Sequence, residues 1–452
     1  MRRLFLAAGL LGSAALTRAG EPLRIITLDP GHFHAALIQK EPLPELAAEA
    51  YVYAPLGPDL AAHLNRVAAF NTRKENPARW KVRVYAAPDY WERMQAERPG
   101  DLVVLSGANR GKIDKITAIA RARLHALADK PWIIEPEEMP KLAAALEAAA
   151  RNRVIAYDGM TQRFEISCIL HRELVSDPAV FGKPAAGSAA EPAVHLESMH
   201  YLLKLVAGAP NLRPVWFFDT RQQGEGLTDV GTHLVDLVMW ILFPDQAIDH
   251  ERDIRVLDGV RWPTVISPAE FQRVTGEKQF PEYLREAVRH DGLHYHCNNS
   301  VSYTIRGVHV KLDVKWGFEA PPGTGDTELA IFRGSKSSVE VRQAKEEKFR
   351  PEVYVVPNAP ADKAAIGVAL RKKLEAIAAE WPGLGVEDQG KRFRVTVPEI
   401  HRVGHEAHFA LLVKRFLGYV KNPAALPAWE QPNMLAKYYV TTKGVELASK
   451  RK

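Results

Sequence analysis

Hydrophobic and polar positions along residues 23–150 change rhythm every few residues, from short apolar runs to segments with helical spacing. The runs at 24–28, 50–53, 81–86, 101–106 and 132–134 predict strands, and 35–40, 58–69, 88–96, 113–127 and 136–150 predict helices. Strand alternating with helix predicts an α/β fold, a doubly wound parallel sheet with ligands at the carboxyl ends of its strands. After residue 193 the rhythm changes. Segments 193–199, 215–219, 299–304, 309–316, 328–332 and 338–341 read as strands between turns, and 250–286 as mixed and loop-rich. Meandering strands of this kind predict an antiparallel or mixed sheet with one face free, in a second domain. The expected division is 22–152 and 153–452, in keeping with a chain of 452 residues that exceeds a single core.

The stretch from Gly224 to Trp240 carries the densest candidate chemistry. At about 100° per residue, Asp229, His233, Asp236 and Trp240 fall in one stripe. Val230, Leu234, Leu237, Val238 and Ile241 fall on a separate apolar face. A carboxylate one turn from an imidazole can fix its tautomer and raise its basicity, as a general base requires. The plainer alternative is a helix N-capped by Thr228 or Asp229, with His233 an ordinary polar neighbour.

Two strand ends add to this. The first strand runs into Asp29-Pro30-Gly31-His32-Phe33-His34, where a dinucleotide fold would carry G-x-G-x-x-G. Only Gly31, the middle glycine, is present. The second strand ends at Tyr53-Ala54-Pro55 without an acid for a ribose, and Asp59 is the nearest candidate. His32 and His34 read as pocket-lining or solvent-facing, with metal ligation the other reading. Lys130, between Asp129 and Pro131, can present its ammonium at the sheet's carboxyl edge; a surface lysine in a turn is the alternative.

Composition narrows the class. Hydrophobic content of 46% and charged content of 25% are those of a globular protein. Half of the net charge of +6 comes from Arg2, Arg3 and Arg18, so no nucleic-acid-binding charge pattern is present. Met1-Arg2-Arg3, the apolar run 4–16 and Thr17-Arg18-Ala19 read as a leader (1–19) cleaved after Ala19, too short for a membrane anchor. Its R-R-x-F-L form resembles a twin-arginine signal, so the chain is expected to be exported to the periplasm. Two cysteines, Cys168 and Cys297, allow at most one disulfide. His294 with His296, and His401 with His405 and His408, read as packed or solvated stripes, and no metal is expected. The basic tail from 424 is expected to cover the surface of one domain.

Asp129-Lys130-Pro131 resembles the E-K-P motif of the glucose–fructose oxidoreductase / inositol dehydrogenase (Gfo/Idh/MocA) family. Gly107-Ala108-Asn109 looks like its T-P-N turn, and 157–164, with Arg163, resembles the segment that opens its second domain. Residues 224–240 are similar to its G-G-G-x-x-x-D-x-G-x-H-x-x-D-x-x-x-W helix. Order and spacing agree over about 23–345. The D-P-G-H-F-H-A-A loop looks like that of an exported bacterial subgroup. The resemblance implies a Rossmann domain followed by an α+β domain with a large open, mostly antiparallel sheet, NAD or NADP, and hydride transfer to or from a sugar, sugar derivative or cyclitol. It implies Lys130, Asp229 and His233 as the catalytic group, with Asp229 orienting His233. It places Gly31, His32, Phe33, Asn109 and Lys130 against the cofactor, and Arg163 and Asp236 against substrate. It also implies a homo-oligomer built on the free face of the large sheet. The missing glycines and the missing acid depart from the family pattern. A non-catalytic binding protein, or a metal-dependent hydrolase on an eroded scaffold, is the rival reading. The oxidoreductase reading requires Lys130 and His233 to flank one cavity.

Overall fold

The computed structural model describes residues 21–206 and 209–451; the expected leader lies outside them. Six parallel strands form the first sheet: β1 (Leu23–Leu28), β2 (Leu46–Ala54), β3 (Lys81–Ala86), β4 (Leu102–Leu105), β5 (His125–Ala128) and β6 (Ala156–Asp158). Their order is β3-β2-β1-β4-β5-β6, so the chain reverses direction across the sheet between β1 and β4. A crevice at that switch point is where such folds bind ligands. β4 and β5 are buried at every position because both sheet faces are covered, which suits uninterrupted apolar runs over alternating ones.

Two expectations fail in this half. The helix predicted over 113–127 stops at α4 (Lys112–Arg121), Arg123 turns at φ 61°, and His125–Ala128 becomes β5, while 132–134 forms no strand. A buried apolar run of four cannot be told from a helical segment by periodicity; pairing between β4 and β6 decides it. The helix after β1, α1 (His34–Leu37), is a single turn.

The second sheet contains β7 (Val194–Leu203), β8 (Ile254–Ile266), β9 (Gly292–Ile305), β10 (Val308–Glu319), β11 (Thr327–Arg333), β12 (Ser337–Gln343), β13 (Glu352–Pro357), β14 (Gly385–Asp388) and β15 (Phe393–Thr396). The order is β8-β9-β10-β7-β11-β12-β13-β15-β14, antiparallel throughout except between β10 and β7. β8 occupies a segment that reads as loop-rich, and Val215–Phe218, expected as strand, is a 3-10 turn following Pro214.

The central helix α7 (Gly231–Leu242) packs Leu234, Val235, Val238 and Ile241 into one core with Leu170, Leu174, Val310 and Leu312. A helical turn, Gly226–Asp229, leads into it and lies directly on β9. A Cβ at Gly226 would collide with the Cys297 carbonyl. The same approach lets the Leu227 N–H donate to Asn299 Oδ1 at 2.8 Å.

The last two helices return to the first sheet. Phe409, Leu412 and Phe416 of α8 (His405–Lys421) join Ile25, Leu102 and Val104; Met434 and Tyr438 of α9 (Glu430–Lys450) join Ile26 and Val103. The tail is therefore no surface cover: Tyr438, Val440, Thr441 and Thr442 are fully buried. Cys168 and Cys297 are both free. No helix among the described residues is long and apolar enough to cross a membrane.

Gly226→Ala forces the turn off β9 and is expected to cost about 1–3 kcal/mol, read as a lowered Tm in thermal unfolding. An unchanged Tm would mean that the turn can withdraw without loss.

Candidate active site

A cleft of about 540 Å³ opens at the carboxyl ends of β1, β4 and β5. Gly31, His32 and Phe33 line it after β1, Ser106, Gly107 and Asn109 after β4, and Asp129 and Lys130 after β5. Asp229 and His233 enter from the turn before α7 and from α7 itself. The far wall is His200, Trp316, Asp326 and Glu328 of the second sheet and its loops, and His405 enters from α8. Lys130 and His233, 103 positions apart in the numbering, thus flank one cavity.

The pairing inside this group differs from the expectation. The Asp229 carboxylate accepts from Lys130 Nζ, which also donates to the Asp229 carbonyl at 3.1 Å. Asp229 thus holds the lysine, and His233 Nδ1 is buried without a hydrogen-bond partner. The backbone stays helical through Val230, so it is the Lys130 ammonium that takes the Asp229 carboxylate from the histidine one turn on. Burial, and then the charge of Lys130, holds the His233 imidazole well below its ordinary pKa, so it stays neutral. Burial alone would raise the Asp229 carboxyl, but the Lys130 ammonium outweighs it and keeps it ionised.

Arg163 and Asp236 do not meet the cleft. Arg163 Nε and Nη2 donate to both Asp236 oxygens at 2.6 Å, and Nη1 donates to Glu430 at 2.8 Å. Lys437 donates to Asp158 at 2.5 Å and lies 3.7 Å from Asp236. All five side chains are buried. Substrate binding is corrected to a structural role for this pair: each group is consumed by its partners, as buried charge requires.

The loop after β1 tests the dinucleotide. In the fingerprint mode, loop N–H groups face the pyrophosphate. Here the Gly31 N–H donates to the Asp29 carbonyl at 3.0 Å and the His32 N–H to the Ser106 carbonyl at 2.8 Å. A Cβ on Gly31 would stand 2.6 Å from Trp216 Cζ2, and one on Gly107 would stand 2.5 Å from the Asp29 carbonyl. The β1 and β4 loops close on each other, and Trp216 covers the glycine. Asp59, the nearest acid for a ribose, accepts from Trp216 Nε1 at 2.8 Å. Asn109 is spent on the wall, donating to the Gln223 carbonyl at 2.7 Å and accepting from Lys112. These residues do not fit a pyrophosphate in the family's manner.

His32 and His34, neither simply solvent-facing, both turn to Asp129. Their Nδ1 atoms lie 2.8 and 3.0 Å from Asp129 Oδ2, and His34 Nε2 lies 2.8 Å from His405 Nε2. Of the other histidine groups, His294 pairs with Asp291, His401 bonds the Pro382 carbonyl, and only His405 reaches the cleft.

Several cleft residues carry no local sequence signal. Lys112 is buried, donates to Asn109 and to the Asp129 carbonyl, and is lowered to about 8 by burial. Glu328 is raised to about 7 by burial and then by the charges of Glu165 and Asp326. Arg213 stacks on Phe217 and Trp316. Their convergence arises only when the two sheets meet.

A family profile described as "Putative oxidoreductase C terminal domain" matches residues 170–449. The solved structure of a "putative oxidoreductase" from Parabacteroides merdae is 44% identical, covering 94% of this chain and 97% of its own, with a TM-score of 0.92. Levoglucosan dehydrogenase in complex with NADH and levoglucosan covers 95% of this chain and 98% of its own, at 11% identity and TM-score 0.59. GenD2 from gentamicin A biosynthesis in complex with NAD covers 95% of each chain, at 14% identity and TM-score 0.57. These last two share the fold. No curated protein matches the sequence.

Arg163→Met strands the Asp236 and Glu430 carboxylates in the interior and is expected to cost about 3–5 kcal/mol in denaturant unfolding. Unchanged stability would mean that the interior tolerates the two carboxylates without their guanidinium. Glu328 keeps its proton in the folded chain to about 7, whereas the unfolded chain releases it near 4.5. The folded state therefore loses stability as pH climbs through that interval. The Tm advantage of Glu328→Gln over the parent is expected to grow from about pH 5 to about pH 8; a constant difference would contradict the shift.

Proposed function

Because the chain belongs to the family described as "Putative oxidoreductase C terminal domain", we propose that it is a Gfo/Idh/MocA-type oxidoreductase acting on a sugar, sugar derivative or cyclitol. The observation that carries the proposal is the placement of the Lys130 ammonium and the neutral His233 imidazole on one cleft. A substrate hydroxyl between them can lose its proton to His233 as its carbon is oxidised to a carbonyl. Lys130 donates a hydrogen bond to the oxygen as negative charge grows on it. Asp229 keeps that ammonium aimed. The far wall, an indole among ionisable groups, suits a polyhydroxylated ring: Trp316 offers an apolar face, and His200, Asp326 and Glu328 offer hydrogen-bonding edges.

NAD or NADP is the redox partner in this proposal, as bound in structures of the same fold. With the loop after β1 closed, such a dinucleotide would be held other than through the fingerprint cradle, and the residues named above handle the proton alone. Export through the N-terminal leader and homo-oligomer formation on the large sheet belong to the same proposal.

His233→Ala and Lys130→Ala are each expected to lower turnover of a sugar or cyclitol substrate by roughly 10²–10⁴-fold with the fold intact. Unchanged turnover in His233→Ala would reject the site. Mass spectrometry of small molecules released from the purified protein is expected to show NAD(H) or NADP(H). Their absence, with no turnover on adding either, would reject the cofactor.

A further inference from the structure

We propose that His32, His34 and Asp129 form a binding site for one divalent transition-metal ion at the floor of the cleft. The three come from two strand ends, β1 and β5, and their ligand atoms all lie within 4.8 Å of one another. Asp129 Oδ2 faces both Nδ1 atoms, at 2.8 and 3.0 Å. The other carboxylate oxygen is already oriented, because Asp129 Oδ1 accepts the Lys130 N–H at 3.0 Å. The far nitrogen of His34 is likewise taken, by His405 at 2.8 Å. Fixing the outer atoms of ligands while leaving the inner ones convergent is the arrangement of metal sites.

A hydrogen-bond network alone does not account for the geometry. His32 Nδ1 is buried and close to the carboxylate, but its direction makes no hydrogen bond. His34 Nδ1 shares a hydrogen bond with Asp129 Oδ2 at 3.0 Å, so His32 Nδ1 is the buried atom beside that oxygen left without one. The loop that carries both histidines is held by its own main chain, through Gly31 to Asp29 and His32 to Ser106. The contacts that shut out a pyrophosphate thus also hold two imidazoles toward one carboxylate.

The donor set selects the ion. Two imidazole nitrogens and one carboxylate oxygen suit zinc, iron, cobalt or nickel and disfavour magnesium and calcium. Three protein ligands leave a coordination position open, as catalytic zinc sites do. The three side chains line the same cleft as Lys130 and His233, and the charge of that lysine is answered by Asp229. If the oxidoreductase reading holds, an ion held by these residues would supply Lewis-acid polarisation of a substrate oxygen. Metal binding itself does not depend on that reading.

A second cluster, His195, Glu197 and Asp313, is the internal comparison. Lysines already answer its carboxylates: Lys315 Nζ lies 2.6 Å from Glu197 and Lys311 Nζ 3.3 Å from Asp313. It needs no ion.

The test uses the full chain, stripped with EDTA and titrated with Co²⁺ and then Zn²⁺. One equivalent of Co²⁺ with visible d–d absorption, displaced by Zn²⁺, is expected. Asp129→Asn and His32→Gln should each weaken binding at least about 10-fold, and His195→Gln should leave it unchanged. His32 is half-exposed, so its variant is expected to keep the parental Tm if Asp129→Asn does not. No stoichiometric Co²⁺ spectrum, parental affinity in His32→Gln, or a loss that follows His195→Gln would each overturn the proposal. None of these readouts involves turnover, so they are separate from the fate of the oxidoreductase reading.

Discussion

The interior ion cluster around Arg163 governs the rest of the structure. One guanidinium spans Asp236 on the central helix and Glu430 at the start of the last helix, while Lys437 of that helix reaches Asp158 at the end of the first sheet. Buried charges of this kind are tolerated only when each meets its partner in good geometry. The requirement therefore fixes α7 and α9 against the first sheet in one arrangement. His233 sits one turn before Asp236 on α7, so the same constraint aims its imidazole into the cleft. A polar stripe along one helix thus divides its labour: its first members face the cleft and Asp236 anchors the helix behind it.

The cleft is built from strand ends of one sheet and the inner wall of another. Lys130 gains its direction from Asp229, a residue of the other half of the chain. That contact does two things at once. It joins the halves across the cleft, and it keeps one cationic group in place beside an imidazole that burial holds neutral. Proton acceptance and oxyanion stabilisation need those opposite states side by side.

The switch point of the first sheet has departed furthest from a dinucleotide-binding crevice. In place of free N–H groups it presents closed main-chain contacts, an indole over the only remaining glycine, and a knot of imidazoles about Asp129. The one-turn α1 begins at His34, whose ring joins that knot. The topology still puts ligand-facing residues at the carboxyl ends of β1, β4 and β5, although the side chains standing there have changed.

Period-two and helical spacing in the sequence were enough to establish a parallel α/β half followed by a mostly antiparallel one, because burial of one face or both leaves a local imprint on every strand. Lys130, Asp229 and His233 were joined by the resemblance of their motifs to one family; spacing alone left a surface lysine and an ordinary polar helix face as open alternatives. What the sequence could not decide was partnership. Whether Asp229 would meet His233 or Lys130 depended on where the end of β5 brings the lysine, and whether Arg163 would meet substrate or Asp236 depended on where α9 returned. His34 and His405 are 371 residues apart, and no local pattern records a contact of that range. β5 was hidden because a four-residue apolar run takes its identity from the strands beside it. Local patterning encodes which face is buried; only the assembled fold selects which charged and imidazole groups share a cavity, since that choice follows from long-range pairing and from the cost of leaving a buried charge alone.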